Sequence, residues 1–486
     1  MTDLMMKLYD RLPTPARSAA ATLRGLYLRW WRYGAGSERL VREARQRDYW
    51  STAQWTAWRE ERLAFILHRA ATQIPHYREQ WAARRRRGDR ASWELVENWP
   101  ILEKETVRQN ARRFVADDVS VGRMFHLRTS GTTGTPLDVW RSRRTVMTLY
   151  ALGMARTRGW QGLSLHHRRA MLGGQLVTPV EQRRPPFWVW NAAMNQLYMS
   201  TYHLAPDLMP YYLDALARYR IDYIAGYTSS LFALAQAALQ LGRRDLKMAV
   251  AISSAERLSE VQRRVIGEAF QSPVRETYGM AETVAAASEC AAGRLHQWPE
   301  VGRVEVMNGD RPVATGSPSE FICTGLLNPD MPLIRYRVGD RGCLADDVLP
   351  CECGRSLPSF ASSDGRTSDF LLTRDGRRVF WLNPVLYGIP VREAQIVQET
   401  LDQIRVLYAP APGFTEHSGL TVTERLRSRM GEVRVVLEQV EKVPRTANGK
   451  VQAVVCSLPT DEREAALHHA RPYSTDGAPP TPTGAV

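Results

Sequence analysis

The 486-residue chain is 44% hydrophobic and 24% charged, the balance of a folded protein long enough for two or more domains. No stretch reaches the ~18 consecutive apolar residues of a membrane-spanning helix, and the first residues lack the compact apolar core and small-residue cleavage site of a secretory leader, so neither is expected. Six scattered cysteines exclude a disulfide scaffold and point to a reducing, cytoplasmic setting.

The formal net charge is +14, and most of the excess lies near the N-terminus: through residue 115 there are 23 Lys and Arg against 13 Asp and Glu. Residues 1–60 read as a basic, aromatic helical extension, with Arg24, Arg29 and Arg32 interleaved among Leu26, Tyr27, Leu28, Trp30 and Trp31. Two readings stay open. The pattern suits peripheral contact with an anionic membrane. It equally suits a helix whose aromatics pack on the main body and whose arginines are solvated. No zinc-finger or RNP pattern is present, so no nucleic-acid partner is expected. Residues 61–71 continue in helical periodicity, and Ile74-Pro75 ends the run.

Residues 129–136 read Thr-Ser-Gly-Thr-Thr-Gly-Thr-Pro, just after the apolar stretch at 124–127. Glycine permits tight turns, and successive backbone N–H groups form an anion-binding concavity with hydroxyls beside it. A flexible linker has similar composition. The loop lacks the Gly-Lys-Ser/Thr ending of a P-loop NTPase. From about 120 to 365, strand-like and helix-like runs alternate: a strand over 221–227, a helix over 229–241, a buried strand over 248–253 and a helix over 259–270. That alternation argues for a layered α/β domain. We take 61–365 as one large domain. A boundary near Gly365 opens a small α+β domain over 366–460, with a helix near 423–431, and 461–486 ends in a Pro/Gly/Ser/Thr-rich stretch expected to be disordered.

Five further segments follow the loop. Ser254, Ala255 and Glu256 close a strand. Tyr278, Gly279, Met280, Ala281 and Glu282 place an aromatic, a glycine and a carboxylate together. Gly339-Asp340 ends an apolar stretch, Gly365-Arg366-Thr367-Ser368-Asp369 lies at the domain junction, and Asn448-Gly449-Lys450 lies near the C-terminus. Singly, each has a plain structural reading: a core tyrosine, a turn aspartate, the end of a hairpin.

Together, in this order, the six segments resemble the adenylate-forming superfamily of acyl-CoA synthetases, nonribosomal-peptide adenylation domains and luciferases. Over residues 60–458 the chain is most similar to the phenylacetate–CoA ligase branch, which includes proteins of capsular polysaccharide biosynthesis. The resemblance implies a large layered α/β N-terminal domain with a small mobile α+β lid. It also implies a two-step reaction, in which a carboxylate attacks the α-phosphate of ATP and CoA then displaces AMP. By the family motifs, Thr129, Ser130, Gly131, Thr132, Thr133 and Gly134 would hold the β- and γ-phosphates. Glu282 would hold magnesium. Ser254, Ala255, Glu256, Tyr278, Gly279, Met280 and Ala281 would line the adenine and α-phosphate. Asp340 would accept from the ribose hydroxyls, with Arg366 beside ribose or phosphate. Lys450, on the lid, would meet the α-phosphate and the attacking carboxylate, and Ser368 and Asp369 would form the hinge. The acid pocket would fall between about residues 190 and 285, with Tyr198, Tyr202, Tyr223 and Tyr227 as aromatic lining.

Three positions depart from the family pattern. The usual lysine two places after the loop's last glycine is missing. Position 281 is alanine where a Ser or Thr hydroxyl commonly touches the α-phosphate. Ser368 replaces the common hinge Asp or Lys.

Cys290, His296, Cys351 and Cys353 supply the three thiolates and one imidazole that tetrahedral structural zinc uses, although the spacing is not that of a standard finger. Free buried and turn cysteines are the alternative. Cys323, Cys343 and Cys456 lie in apolar strand-like contexts and read as core. The expected function is an AMP-forming acid–thiol ligase. An adenylating ligase with an amine or hydroxyl acceptor, and a non-catalytic relative, are the alternatives.

Overall fold

The computed structural model describes residues 8–129, 137–179, 181–205, 207–346, 351–363, 371–379, 382–386, 389–441, 443–444 and 453–468. Ser130–Gly134, Arg366, Ser368, Asp369 and Lys450 therefore lie outside the described residues, as do most of the C-terminal tail and the Gly365 boundary.

The N-terminal region is helical: α1 (Thr14–Arg32), α2 (Ser37–Arg47), α3 (Thr52–Gln73) and α4 (Pro75–Arg86). α3 starts on a reciprocal Ser51/Gln54 capping box. It stops where Pro75 forces Ile74 into an extended conformation, and the same proline opens α4 at its first position. α1 lies on the main body, burying Trp31 against Phe125 with ring centroids 5.4 Å apart. Arg29 donates to the Ala193 carbonyl at 3.1 Å. Leu23, Leu26, Tyr27 and Trp30 face solvent at helical spacing. The aromatics thus divide between packing on the body and an exposed stripe.

A short helix, α5 (Lys104–Gln109), precedes the hairpin of β1 (Phe125–Arg128) and β2 (Asp138–Arg141), which leads into α6 (Arg143–Gly153). The next strands are β3 (Arg169–Gly173), β4 (Trp188–Asn191), β5 (Gln196–Ser200), β6 (Tyr223–Tyr227), β7 (Ala251–Ser254) and β8 (Val274–Gly279). They run β4-β5-β3-β6-β7-β8, parallel except for β4 at the edge. The crossovers are α7 (Met209–Arg218), α8 (Thr228–Gln240) and α9 (Glu260–Phe270). Strands covered by helices are buried, which is why β6 and β7 read as apolar runs with little alternation.

The same sheet continues antiparallel through β9 (Ala286–Glu289), β10 (Leu295–Gln297), β11 (Gly302–Asn308), β12 (Arg311–Pro312), β13 (Ser319–Gly325), β14 (Tyr336–Leu344) and β15 (Ser359–Ser363), making 13 strands in all. Gly302 lets β11 lie against residue 284: a Cβ there would stand 1.8 Å from the Val284 carbonyl oxygen. This close approach seats the 281–284 turn on the sheet.

A separate C-terminal domain follows. After the two-stranded ribbon of β16 (Leu371–Leu372) and β17 (Arg378–Val379), it contains β18 (Val391–Thr400), β19 (Gln403–Pro410), α10 (Glu416–Met430), β20 (Arg434–Gln439), β21 (Val454–Cys456) and α11 (Thr460–His468). Four of the strands form a sheet in the order β20-β19-β18-β21. Its core takes in Tyr202 of the large domain, and Arg377 donates to the Tyr202 carbonyl at 2.9 Å. The α/β class and the small second domain thus agree with the sequence. Residues 398–408 hold the end of β18, the turn and the start of β19.

Candidate functional site

The feet of the glycine-threonine loop are fastened by two hydrogen bonds. Thr129 N donates to the Leu137 carbonyl, and Leu137 N donates to Thr129 Oγ1, both at 2.9 Å. β1 and β2 pair antiparallel, from Phe125 opposite Arg141 to Arg128 opposite Asp138, and Arg141 at the end of β2 donates to the Ala281 carbonyl. The loop's base thereby meets the 278–282 segment.

Tyr278, near the end of β8, donates from its hydroxyl to Asp340 Oδ2 at 2.9 Å, and its ring packs edge-on against Phe360 and Phe321. Ser254 donates to the Gly226 carbonyl at 3.2 Å. Ala255 takes φ +65, an unusual backbone state for a residue with a Cβ. Glu256 accepts from Ser229 N at 2.7 Å and Ser229 Oγ at 3.0 Å, and burial raises its pKa despite those donors. These segments lie at the C-terminal ends of adjacent parallel strands β7 and β8, where α/β sheets present ligand-binding residues.

Glu282 is buried, yet its carboxylate keeps company with donors. Lys104 Nζ and Tyr336 Oη each lie 3.2 Å from its Oε1. Lys104 is brought there by backbone pairing. Leu102 bridges Tyr336, with Leu102 N donating to the Arg335 carbonyl at 2.9 Å and Arg337 N to the Leu102 carbonyl at 3.0 Å. Lys104, Tyr336 and Arg141 are site residues that the sequence reading missed. Lys104 stands 178 positions from Glu282, and no local pattern joins the two.

Tyr202 and Tyr223 are buried in packed cores, the first in that of the C-terminal domain and the second beside Leu163, Val250 and Ile252. Both rings are buried, with the Arg429 guanidinium 6.0 Å from the Tyr202 ring and Arg158 hydrogen-bonded to the Tyr223 hydroxyl, so the expected aromatic lining of an open pocket is not seen at these two.

Beyond β9, Cys290, His296, Cys351 and Cys353 come together with their ligand atoms within 4.8 Å of one another. Cys290 and Cys351 sulfurs are 3.7 Å apart, and Cys353 Sγ lies 3.4 Å from His296 Nε2. All six cysteines are free thiols. His296 Nδ1 is 2.9 Å from the Leu357 carbonyl. That contact places the proton on Nδ1 and turns the Nε2 lone pair toward the thiols. Burial pushes the Cys290 thiol up to about 11. A set of four such donors facing one another, three of them buried and Cys353 half-buried, fits a tetrahedral structural metal.

The sheet and the separate C-terminal domain share the fold of solved adenylate-forming CoA ligases. The described residues align over 86% of the chain with 93% of a solved 2-hydroxyisobutyryl-CoA ligase in the postadenylation state, at TM-score 0.53 and 18% identity. The same ligase in its thioesterification state, in complex with 2-HIB-AMP and CoA, covers 87% of this chain and 93% of its own, also at TM-score 0.53 and 18% identity. The CapK C-terminal domain profile matches residues 371–457. Protein CapK of Staphylococcus aureus is 25% identical over 75% of this chain and 80% of its own length. The phenylacetate-coenzyme A ligase of Thermus thermophilus is 27% identical over 43% of this chain and 54% of its own. Homology to CapK and to phenylacetate–CoA ligase, joined to this fold, supports that branch of the adenylate-forming superfamily.

Proposed function

We propose that this protein is an ATP-dependent, AMP-forming ligase that activates an acyl or aryl carboxylic acid as its adenylate and passes it to CoA. The observation that carries the reading is the convergence of Tyr278, Asp340, Glu282 and Lys104 beside the base of the glycine-threonine loop. In the first step a carboxylate oxygen attacks the α-phosphorus, the bond to the β-phosphate oxygen breaks, and pyrophosphate leaves. In the second the acceptor's thiol attacks the acyl carbon and AMP leaves. Such chemistry is governed by positioning and charge.

The chain's residues divide this work. Asp340 accepts from the ribose hydroxyls while Tyr278 orients its carboxylate and offers a ring face to the adenine. Residues 129–134 cradle the β- and γ-phosphates. Glu282 is the ligand for magnesium, a hard cation that takes oxygen donors and neutralises phosphate charge when bound. Lys104 supplies the ammonium that the loop itself lacks. It neutralises Glu282 in the nucleotide-free protein and stands ready for a phosphate. Lys450 meets the α-phosphate from the lid, Arg366 approaches the ribose or phosphate, and Ser368 and Asp369 form the hinge, so lid closure is part of the cycle. Cys290, His296, Cys351 and Cys353 would hold a zinc ion in a structural role.

An amine or hydroxyl acceptor is the second reading. The six free thiols suit a cytoplasmic enzyme. The exposed Leu23, Leu26, Tyr27 and Trp30, on a helix with four arginines and no carboxylate, suit peripheral contact with an anionic membrane. A panel of carboxylic acids with ATP, magnesium and either CoA or amines, assayed for AMP and product, tests the reading. Pyrophosphate exchange with no acid at all would refute it.

A further inference from the structure

Arg141 is the last residue of β2, the strand that leaves the glycine-threonine loop, and its side chain is buried. One terminal nitrogen donates to the Ala281 carbonyl. Its Nε has no hydrogen-bond partner. Among the described residues no carboxylate pairs with it, and Glu282 acts on it only through space. Burial accordingly lowers its pKa to about 10. A buried cation left without a bonded anion is costly, and a native structure that keeps one calls for a reason.

The reason suggested here lies one residue away. At position 281 the family motif carries a hydroxyl that touches the α-phosphate, and this chain has a methyl group. The guanidinium that bonds the Ala281 carbonyl is within a side chain's breadth of that missing hydroxyl. It is also the group best suited by shape and charge to phosphate oxygens. We propose that Arg141 supplies, from β2, the α-phosphate contact that residue 281 cannot make. The inference rests on the adenylating reading above.

Calorimetric binding of AMP and of adenosine separates the possibilities, because the two differ by the phosphate alone. The intact protein is expected to prefer AMP. Arg141→Met is expected to lower that preference about tenfold or more, the worth of a hydrogen bond to a charged group, while adenosine affinity holds. Ala281→Thr should restore AMP affinity more in the Arg141→Met background than in the intact protein. An unchanged AMP-to-adenosine ratio would overturn the inference. Equal loss of both ligands would do the same, marking Arg141 as a brace for the 281–282 turn. If Arg141→Met does not fold, Arg141→Gln reads the same ratio: an amide keeps a donor for the Ala281 carbonyl but brings no charge to a phosphate, so a ratio like that of the intact protein overturns the inference there too. Binding of neither ligand by the intact protein would sink the adenylating reading itself.

Discussion

The Cys290–His296–Cys351–Cys353 cluster and the Glu282 centre stand at two places on one sheet, and they differ in how their polar groups are satisfied. In the cluster, the four donor atoms face one another, and the outer nitrogen of His296 is bonded to the Leu357 carbonyl. At Glu282 the charges face a shared space: an ammonium, a phenol and a carboxylate in contact, a guanidinium nearby, and Asp340 with Tyr278 on the neighbouring segment. A set that closes on itself holds a fold together. A set of opposite charges gathered beside a phosphate-type loop is suited to exchanging partners with a ligand.

Substitutions should divide along the same line. The largest effect is expected from Lys450→Ala, which should cut adenylate formation by about 10²-fold or more. Thiol transfer from a supplied acyl-adenylate should suffer less, and equal loss in both half-reactions would make Lys450 structural. Glu282→Gln should weaken the apparent magnesium affinity in pyrophosphate exchange by more than the ~10-fold typical of an outer-shell change, with the melting temperature held; an unaltered magnesium dependence would remove Glu282 from the metal site. Lys104→Met should raise KM for ATP about tenfold through one lost charge-assisted contact. It should also tighten magnesium binding to the nucleotide-free protein, since a competing cation is gone; looser binding would contradict that role.

At the cluster the signature reverses. Cys351→Ser should release zinc and lower the melting temperature by about 5 °C or more, while KM for ATP stays put. Metal analysis of the intact protein that found no zinc would leave four free thiol and imidazole groups and end the contrast. The smallest effect concerns Glu276. Burial, then the nearby Glu289 carboxylate, lifts its pKa from 4.5 to about 7. A carboxyl raised in the folded state stabilises the fold while protonated. That contribution is complete below the unfolded value and is lost as pH rises through the folded one. Denaturant titrations should therefore show Glu276→Gln flattening a decline in stability between about pH 4.5 and 7; an unchanged slope would rule the carboxyl out.

Much of this was legible in the chain. The 61–71 part of the helix Thr52–Gln73 was readable from its periodicity and its proline stop, and the β6–α8–β7–α9 succession from alternating apolar runs, because local propensity and tertiary packing agree there. Tyr278, Glu282 and Asp340 were readable as motif residues, and Cys290, His296, Cys351 and Cys353 as a donor set. Tyr202 was misplaced. A buried tyrosine reads the same whether it lines a pocket or fills a core, and the C-terminal domain that covers it is contributed by residues far along the chain.

By itself, then, the sequence determined which chemical groups are present and the local elements that carry them, because capping, proline placement and hydrophobic period act over a few residues. Only the tertiary structure decided which groups meet. Lys104 reaches Glu282 through the pairing of Leu102 with Tyr336, and Arg141 reaches Ala281 from a strand 140 positions away. Contacts of that kind are set by strand order and chain reversal, which leave no mark on the residues beside them.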